Sequence, residues 1–101
     1  MTDSILIHFN CNELCEQTQV SIDTLIEFVE HGIVEPHGSS PEDWVFGQEV
    51  IVVVRRAVRM HDDLGIDWAG VALALDLIEQ RERLRVENNL LRNRLDRFLT
   101  D

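Results

Sequence analysis

Val50-Ile51-Val52-Val53-Val54-Arg55-Arg56-Ala57-Val58-Arg59-Met60-His61 decides the fold class of this 101-residue chain. Its β-branched run favours a strand by propensity, because such side chains fit a pleated, half-buried surface. The spacing argues otherwise. Val50, Val53, Val54, Ala57, Val58 and His61 fall at the i, i+3, i+4, i+7, i+8 and i+11 positions of one side of a helix. The length of the segment and its Arg-rich continuation agree with helix. With that segment helical, the chain is mainly α.

Downstream, Gly65 ends this helix and Asp67 caps the next, which starts at Trp68. After Gly70 no Pro or Gly interrupts the chain, and good helix formers dominate. Leu77, Leu84, Leu91 and Phe98 recur every seven residues as heptad d positions, which makes Ala74, Arg81, Asn88 and Leu95 the a positions. A helix of about 30 residues spans roughly 45 Å. So narrow a seam on so long a helix calls for a second copy, with Leu77, Leu84, Asn88, Leu91, Leu95 and Phe98 as the dimerisation residues. Asn88 sets register and oligomer number in such a seam, and a Glu87–Arg92 pair across it leans towards a parallel dimer. Glu79 with Arg83, and Arg83 with Glu87, pair within one helix at i,i+4 and carry no information about orientation.

Upstream, Ser4 to Phe9 reads as a short strand. Asn10, with Glu13 three residues on, forms a capping box for a short helix from Cys11 to about Gln17. Thr18-Gln19-Val20 turns, and Ser21 caps a second helix with Asp23 in its first turn. Ile22, Leu25, Ile26 and Val29 form its apolar face, and Gly32 stands just past its end. Two short helices joined by a tight turn make a helix-turn-helix. Ile33 to Pro36 is extended, His37 to Asp43 is a polar loop, and Trp44-Val45-Phe46 is a second strand that pairs with Ile5–Phe9 or with Ile33-Val34.

The length fits one compact unit with an extended helix: a head over residues 1–66 and a dimerisation stalk over 67–101. No run of about 18 apolar residues exists to span a membrane, and the N-terminus lacks the basic region and apolar core of a secretory leader. Charge is distributed unevenly. Residues 1–54 carry ten acidic side chains and no Lys or Arg, while residues 55–101 balance nine Arg with nine carboxylates. Such a head repels phosphate backbones and attracts basic protein surfaces. Cys11 and Cys15, four apart on one helix, suit a disulfide poorly and read as small, partly buried thiols in a reducing cytosol. With His8 they make no persuasive zinc set, and no metal or other cofactor is expected. No phosphate loop, nucleophile motif or HExxH is present, so the chain reads as a binding protein and not an enzyme.

Strand, helix-turn-helix, wing, two further helices and a coiled coil follow the layout of MerR-type winged-helix proteins, which this chain resembles from about Ile5 to Leu77. Within that group, four segments look like the CbpM-type chaperone modulators. They are Trp44-Val45-Phe46, Ala57-Val58-Arg59, the stretch from Leu64 through Asp67-Trp68-Ala69-Gly70 to Ala72, and Glu87-Asn88-Asn89-Leu90-Leu91-Arg92 continuing to Phe98. The resemblance implies a small acidic cytoplasmic protein, nucleoid-associated only through its partner. That partner is the J-domain of the DnaJ-like co-chaperone CbpA, whose work with DnaK and whose DNA binding are both restrained. The MerR layout also implies an antiparallel stalk, against the parallel pairing favoured by Asn88.

A DNA-binding, MerR-like transcription regulator is the alternative. A recognition helix needs Arg and Lys to reach phosphates and base edges. The second helix here offers Asp23, Glu27 and Glu30, so direct DNA binding is not expected. Two surfaces suit a basic partner: Glu27 and Glu30 with Phe28 on the second helix, and Asp62 and Asp63 near Trp68. Trp44 and Trp68 read foremost as aromatics that lock the fold, and His61 as a packed histidine. Gly70 inside a helix marks a bend or a close backbone approach. Arg55, Arg56 and Arg59 read as a solvated face compensated by Asp62 and Asp63.

Overall fold

The computed structural model describes residues 7–100. In order they form β1 (His8–Asn10), α1 (Cys11–Thr18), α2 (Ile22–Glu30), a 3-10 turn (Pro41–Asp43), β2 (Val45–Gly47), α3 (Glu49–Leu64) and α4 (Trp68–Thr100). The architecture is mainly α, with two short antiparallel strands and a long C-terminal helix.

Local chemistry sets the element ends. The Asn10 side chain accepts from the Glu13 N–H at 2.8 Å, and the Glu13 carboxylate accepts from the Asn10 N–H at 2.9 Å, which completes the capping box of α1. Gln19 closes α1 in the left-handed region at φ 62° and donates its N–H to the Cys15 carbonyl. Ser21 Oγ then accepts from the Thr24 N–H and starts α2. These two caps hold α1 and α2 as the helix-turn-helix read from the sequence.

β1 and β2 pair antiparallel, with His8 opposite Gly47, Phe9 opposite Phe46 and Asn10 opposite Val45. His37 exchanges two 2.9 Å backbone hydrogen bonds with Val45, so the polar loop adds a third, one-residue rung to the wing. The first strand differs from the Ser4–Phe9 expectation. It occupies His8–Asn10 because the cap at Asn10 fixes where extended chain must become helix; Ser4, Ile5 and Leu6 lie outside the described residues. The second strand starts one residue late, since Trp44 donates its N–H to the Pro41 carbonyl and closes the 3-10 turn.

The Val-rich segment is helical, and periodicity outweighed β-propensity. Val50, Val54 and Ala57 are buried from α3, against Leu14 of α1, Leu25 and Phe28 of α2, Val34, Phe46 of β2 and Val71 of α4. A fully buried side chain of this kind stabilises by about 1.5–3 kcal/mol over leaving it in water. A strand could present only alternate residues to such a core, and Val50, Val54 and Ala57 are not alternate.

α4 begins on the Asp67 cap: Asp67 Oδ1 accepts from the Gly70 N–H at 2.9 Å. A Cβ on Gly70 would stand 3.3 Å from both that oxygen and Ile66 Cβ, so the close approach comes from the capping loop itself. The first two turns pack on the head through Trp68, Val71 and Leu75. From Asp76 to Thr100 every residue is exposed. At 33 residues the helix runs about 50 Å, most of the molecule's 58 Å length.

Candidate functional site

Of the α2 patch, Glu27 and Glu30 are exposed, as is Asp23, and no basic side chain stands on the helix. Phe28 corrects the sequence reading. It is 0% exposed, and its ring meets that of Trp68 edge-on, with centroids 4.7 Å apart at 76°. Phe28 lies three residues after Leu25, which puts it on the core side of α2, so it cannot contact a partner as a surface residue.

Asp62 and Asp63 are exposed at the end of α3. Trp68 is half-buried, with His61 stacked on it at 4.1 Å and 20°. His61 Nδ1 lies 2.6 Å from the Ile66 carbonyl. A carbonyl only accepts, so Nδ1 carries the proton. Trp68 and His61 thus pack together and fasten the α3–α4 corner.

Along α4 the heptad residues form an uncovered apolar line, from Leu77 (55% exposed) and Leu84 (65%) to Phe98 (80%). Leu91 and Leu95 are exposed on the same line, and Asn88 stands among them. Glu79–Arg83 pairs at 3.1 Å as the spacing implied. Arg83 being taken up there, the second pair among the described residues is Glu82–Arg85 at 2.9 Å, and not Arg83–Glu87.

Sequence reasoning missed one feature, a groove of about 590 Å³ between α3 and the proximal part of α4. Val52, Val53, Leu75 and Ile78 supply its apolar walls, while Asp76, Glu79 and Glu82 give it an acidic edge. Val52, a large apolar residue off the core side of α3, and Ile78, seven residues beyond the buried Val71 on the core side of α4, were the available signal.

Cys11 and Cys15 are free and half-buried, and burial pushes both thiols up from their ordinary value. Cys11 Sγ donates weakly to the Pro41 carbonyl at 3.5 Å. Among the described residues, no three His, Cys, Asp or Glu side chains gather as a metal site, and no helix is long and apolar enough to cross a membrane.

A helix-turn-helix with a small wing, carrying carboxylates where nucleic-acid readers carry Arg and Lys, defines the class. The family model described as MerR HTH family regulatory protein matches residues 9–93. Chaperone modulatory protein CbpM of Pseudomonas putida is 44% identical over 99 residues, covering 98% of both chains. Its namesakes from Pseudomonas entomophila and Salmonella newport are 47% and 41% identical, over 97% and 96% of both chains. The chain belongs to the CbpM family of chaperone modulators, built on the MerR-type helix-turn-helix. Neither the relatives' name nor the family description is that of an enzyme.

Proposed function

We propose that this protein is a non-enzymatic homodimer that binds the J-domain of a DnaJ-like co-chaperone of the CbpA type in the cytoplasm. It thereby inhibits both the co-chaperone's work with DnaK and its DNA binding. The observation that carries the reading is the exposed carboxylate surface of the helix-turn-helix. Glu27 and Glu30 on α2, with Asp62 and Asp63 in the last turn of α3, face solvent without a basic neighbour on α2. That surface favours a partner rich in Lys and Arg and opposes phosphate. Membership in a family of chaperone modulators supports the same reading. Inhibition then follows from occupation: a J-domain whose basic surface is covered is no longer open to DnaK.

The stalk supports the dimer. Leu77, Leu84, Leu91, Leu95 and Phe98 form one exposed line, and an apolar line of this length is an interaction surface. Asn88 within it selects register. Titrating the purified protein with an isolated J-domain, and assaying J-domain-stimulated DnaK ATPase alongside, tests the reading. Saturable binding with loss of stimulation is expected; no binding at micromolar concentrations overturns it. Duplex DNA at low salt serves as the counter-test, where no retention is expected.

A further inference from the structure

We infer that the groove between α3 and the proximal part of α4 is the seat of the partner, and that it takes an amphipathic helix with Lys or Arg flanking an apolar stripe. The inference rests on the J-domain reading and names the surface that the reading leaves open.

The groove has the composition such a helix requires. Val52 is 64% exposed and Ile78 46%, so apolar area stands uncovered beside the half-buried Val53 and Leu75. Asp76, Glu79 and Glu82 line the α4 side, against Arg56 alone on the α3 side. Glu79 and Glu82 are engaged in exposed pairs with Arg83 and Arg85, whose side chains are 60–70% accessible. Pairs of that kind contribute little and exchange readily for an incoming cation. Gly32 and Ile33, just past the end of α2, form the far wall, so the acidic end of α2 adjoins the groove.

A second copy of the chain is the competing occupant, and the geometry of α4 disfavours it. At about 100° per residue, Leu77 and Leu84 point roughly 160° away from Leu75 and Glu82 around the helix axis. A partner stalk lying along the heptad line therefore leaves the groove open on the opposite side. Val86 and Leu90, 51% and 58% exposed, continue the groove's own apolar line along α4. The helix thus carries two apolar lines, one for its own kind and one for a different ligand. Steering by the carboxylates and holding by the groove are separate tasks, since charge governs association and desolvated apolar contacts govern residence.

The test is calorimetric titration of the full-length protein with an isolated J-domain, using the double variants Val52→Lys/Ile78→Lys and Glu79→Lys/Glu82→Lys. All four positions are exposed or on the groove lip, so thermal midpoint and sedimentation mass should match the parent. Each double variant should bind at least about tenfold more weakly. Parent-like affinity in both, with loss on Glu27→Arg/Glu30→Arg or Asp62→Arg/Asp63→Arg, overturns the groove while the J-domain reading stands. A drop to monomer mass in the groove variants overturns it in favour of self-association. A parent that binds no J-domain removes the reading and the inference together.

Discussion

Trp68 packs edge-on against Phe28, with ring centroids 4.7 Å apart, and so ties the first turn of α4 to the second helix of the helix-turn-helix. His61 stacks on the same indole with ring centroids 4.1 Å apart. One side chain therefore joins α2, α3 and α4. Trp68→Ala should cost about 3 kcal/mol, at the low end for a large aromatic because the indole is only half-buried. Trp68→Phe should retain most of that stability. Urea unfolding followed by circular dichroism would show it, and equal midpoints for Trp68→Ala and parent would remove the indole from the core account.

Gly38 holds the wing. Its φ is +121°, and an added Cβ would stand 2.6 Å from the Asp43 carbonyl oxygen, a backbone atom that cannot swing aside. Gly38→Ala combines that clash with left-handed strain and should destabilise by about 1–3 kcal/mol. At Gly70 the balance is different. Its Cβ contacts are 3.3 Å, and helix propensity gains about 1 kcal/mol on Gly→Ala, so the substitution should be close to neutral. The pair of midpoints, measured side by side, checks both.

These residues also mark how much the sequence disclosed. The helix over Val50–Leu64, the capping box at Asn10 and Glu13, the Ser21 cap and the Asp67 start all depend on local spacing or a side chain bonding its own neighbourhood, and such signals survive in one dimension. Phe28 stands between Glu27 and Glu30 in the chain, but its i,i+3 relation to Leu25 places it on the core side of α2. A close approach at Gly70 is visible in the sequence, but the groups that approach are Asp67 and Ile66 of its own capping loop. The groove was not legible, since it exists only where α3 and α4 diverge, a distance no periodicity encodes.

Burial pushes the Cys11 and Cys15 thiols up, and Cys11 pushes Cys15 up further as a neighbouring charge. A raised thiol holds less thiolate at a given pH, and only thiolate attacks an alkylating agent. At pH 8 both cysteines should react with iodoacetamide more slowly in the folded protein than in urea, and the lag should shrink as the pH is raised. Mass spectrometry over time reads this directly. Equal rates, folded and unfolded, would mean the thiols are not shielded.

The stalk line predicts that Leu84→Asp or Leu91→Asp yields monomers in analytical ultracentrifugation, because each buries an unpaired charge in the seam. Unchanged dimer mass in both would return α4 to a free-standing helix. Orientation is read from distance. In the antiparallel pair that the MerR layout implies, spin labels at Thr100→Cys should lie about 40 Å apart, from 1.5 Å per residue on either side of a central crossing, and a short distance would establish the parallel form that Asn88 favours.

The carboxylates of the head should act on the rate of encounter more than on the lifetime of the complex. Glu27, Glu30, Asp62 and Asp63 are exposed, and a single exposed ion pair contributes only about 0.2–1 kcal/mol. Their summed field, from ten acidic residues without Lys or Arg before Arg55, still reaches a basic partner at low salt, where the screening length is long. Glu27→Arg/Glu30→Arg and Asp62→Arg/Asp63→Arg should each slow J-domain association several-fold at about 20 mM salt, less at about 300 mM, with dissociation nearly unchanged. Stopped-flow mixing at the two ionic strengths separates the rates. Should both charge-reversed proteins associate as fast as the parent at low salt, steering is absent. These carboxylates then serve to keep a small protein with a bare apolar stalk in solution, and recognition falls to apolar contacts alone.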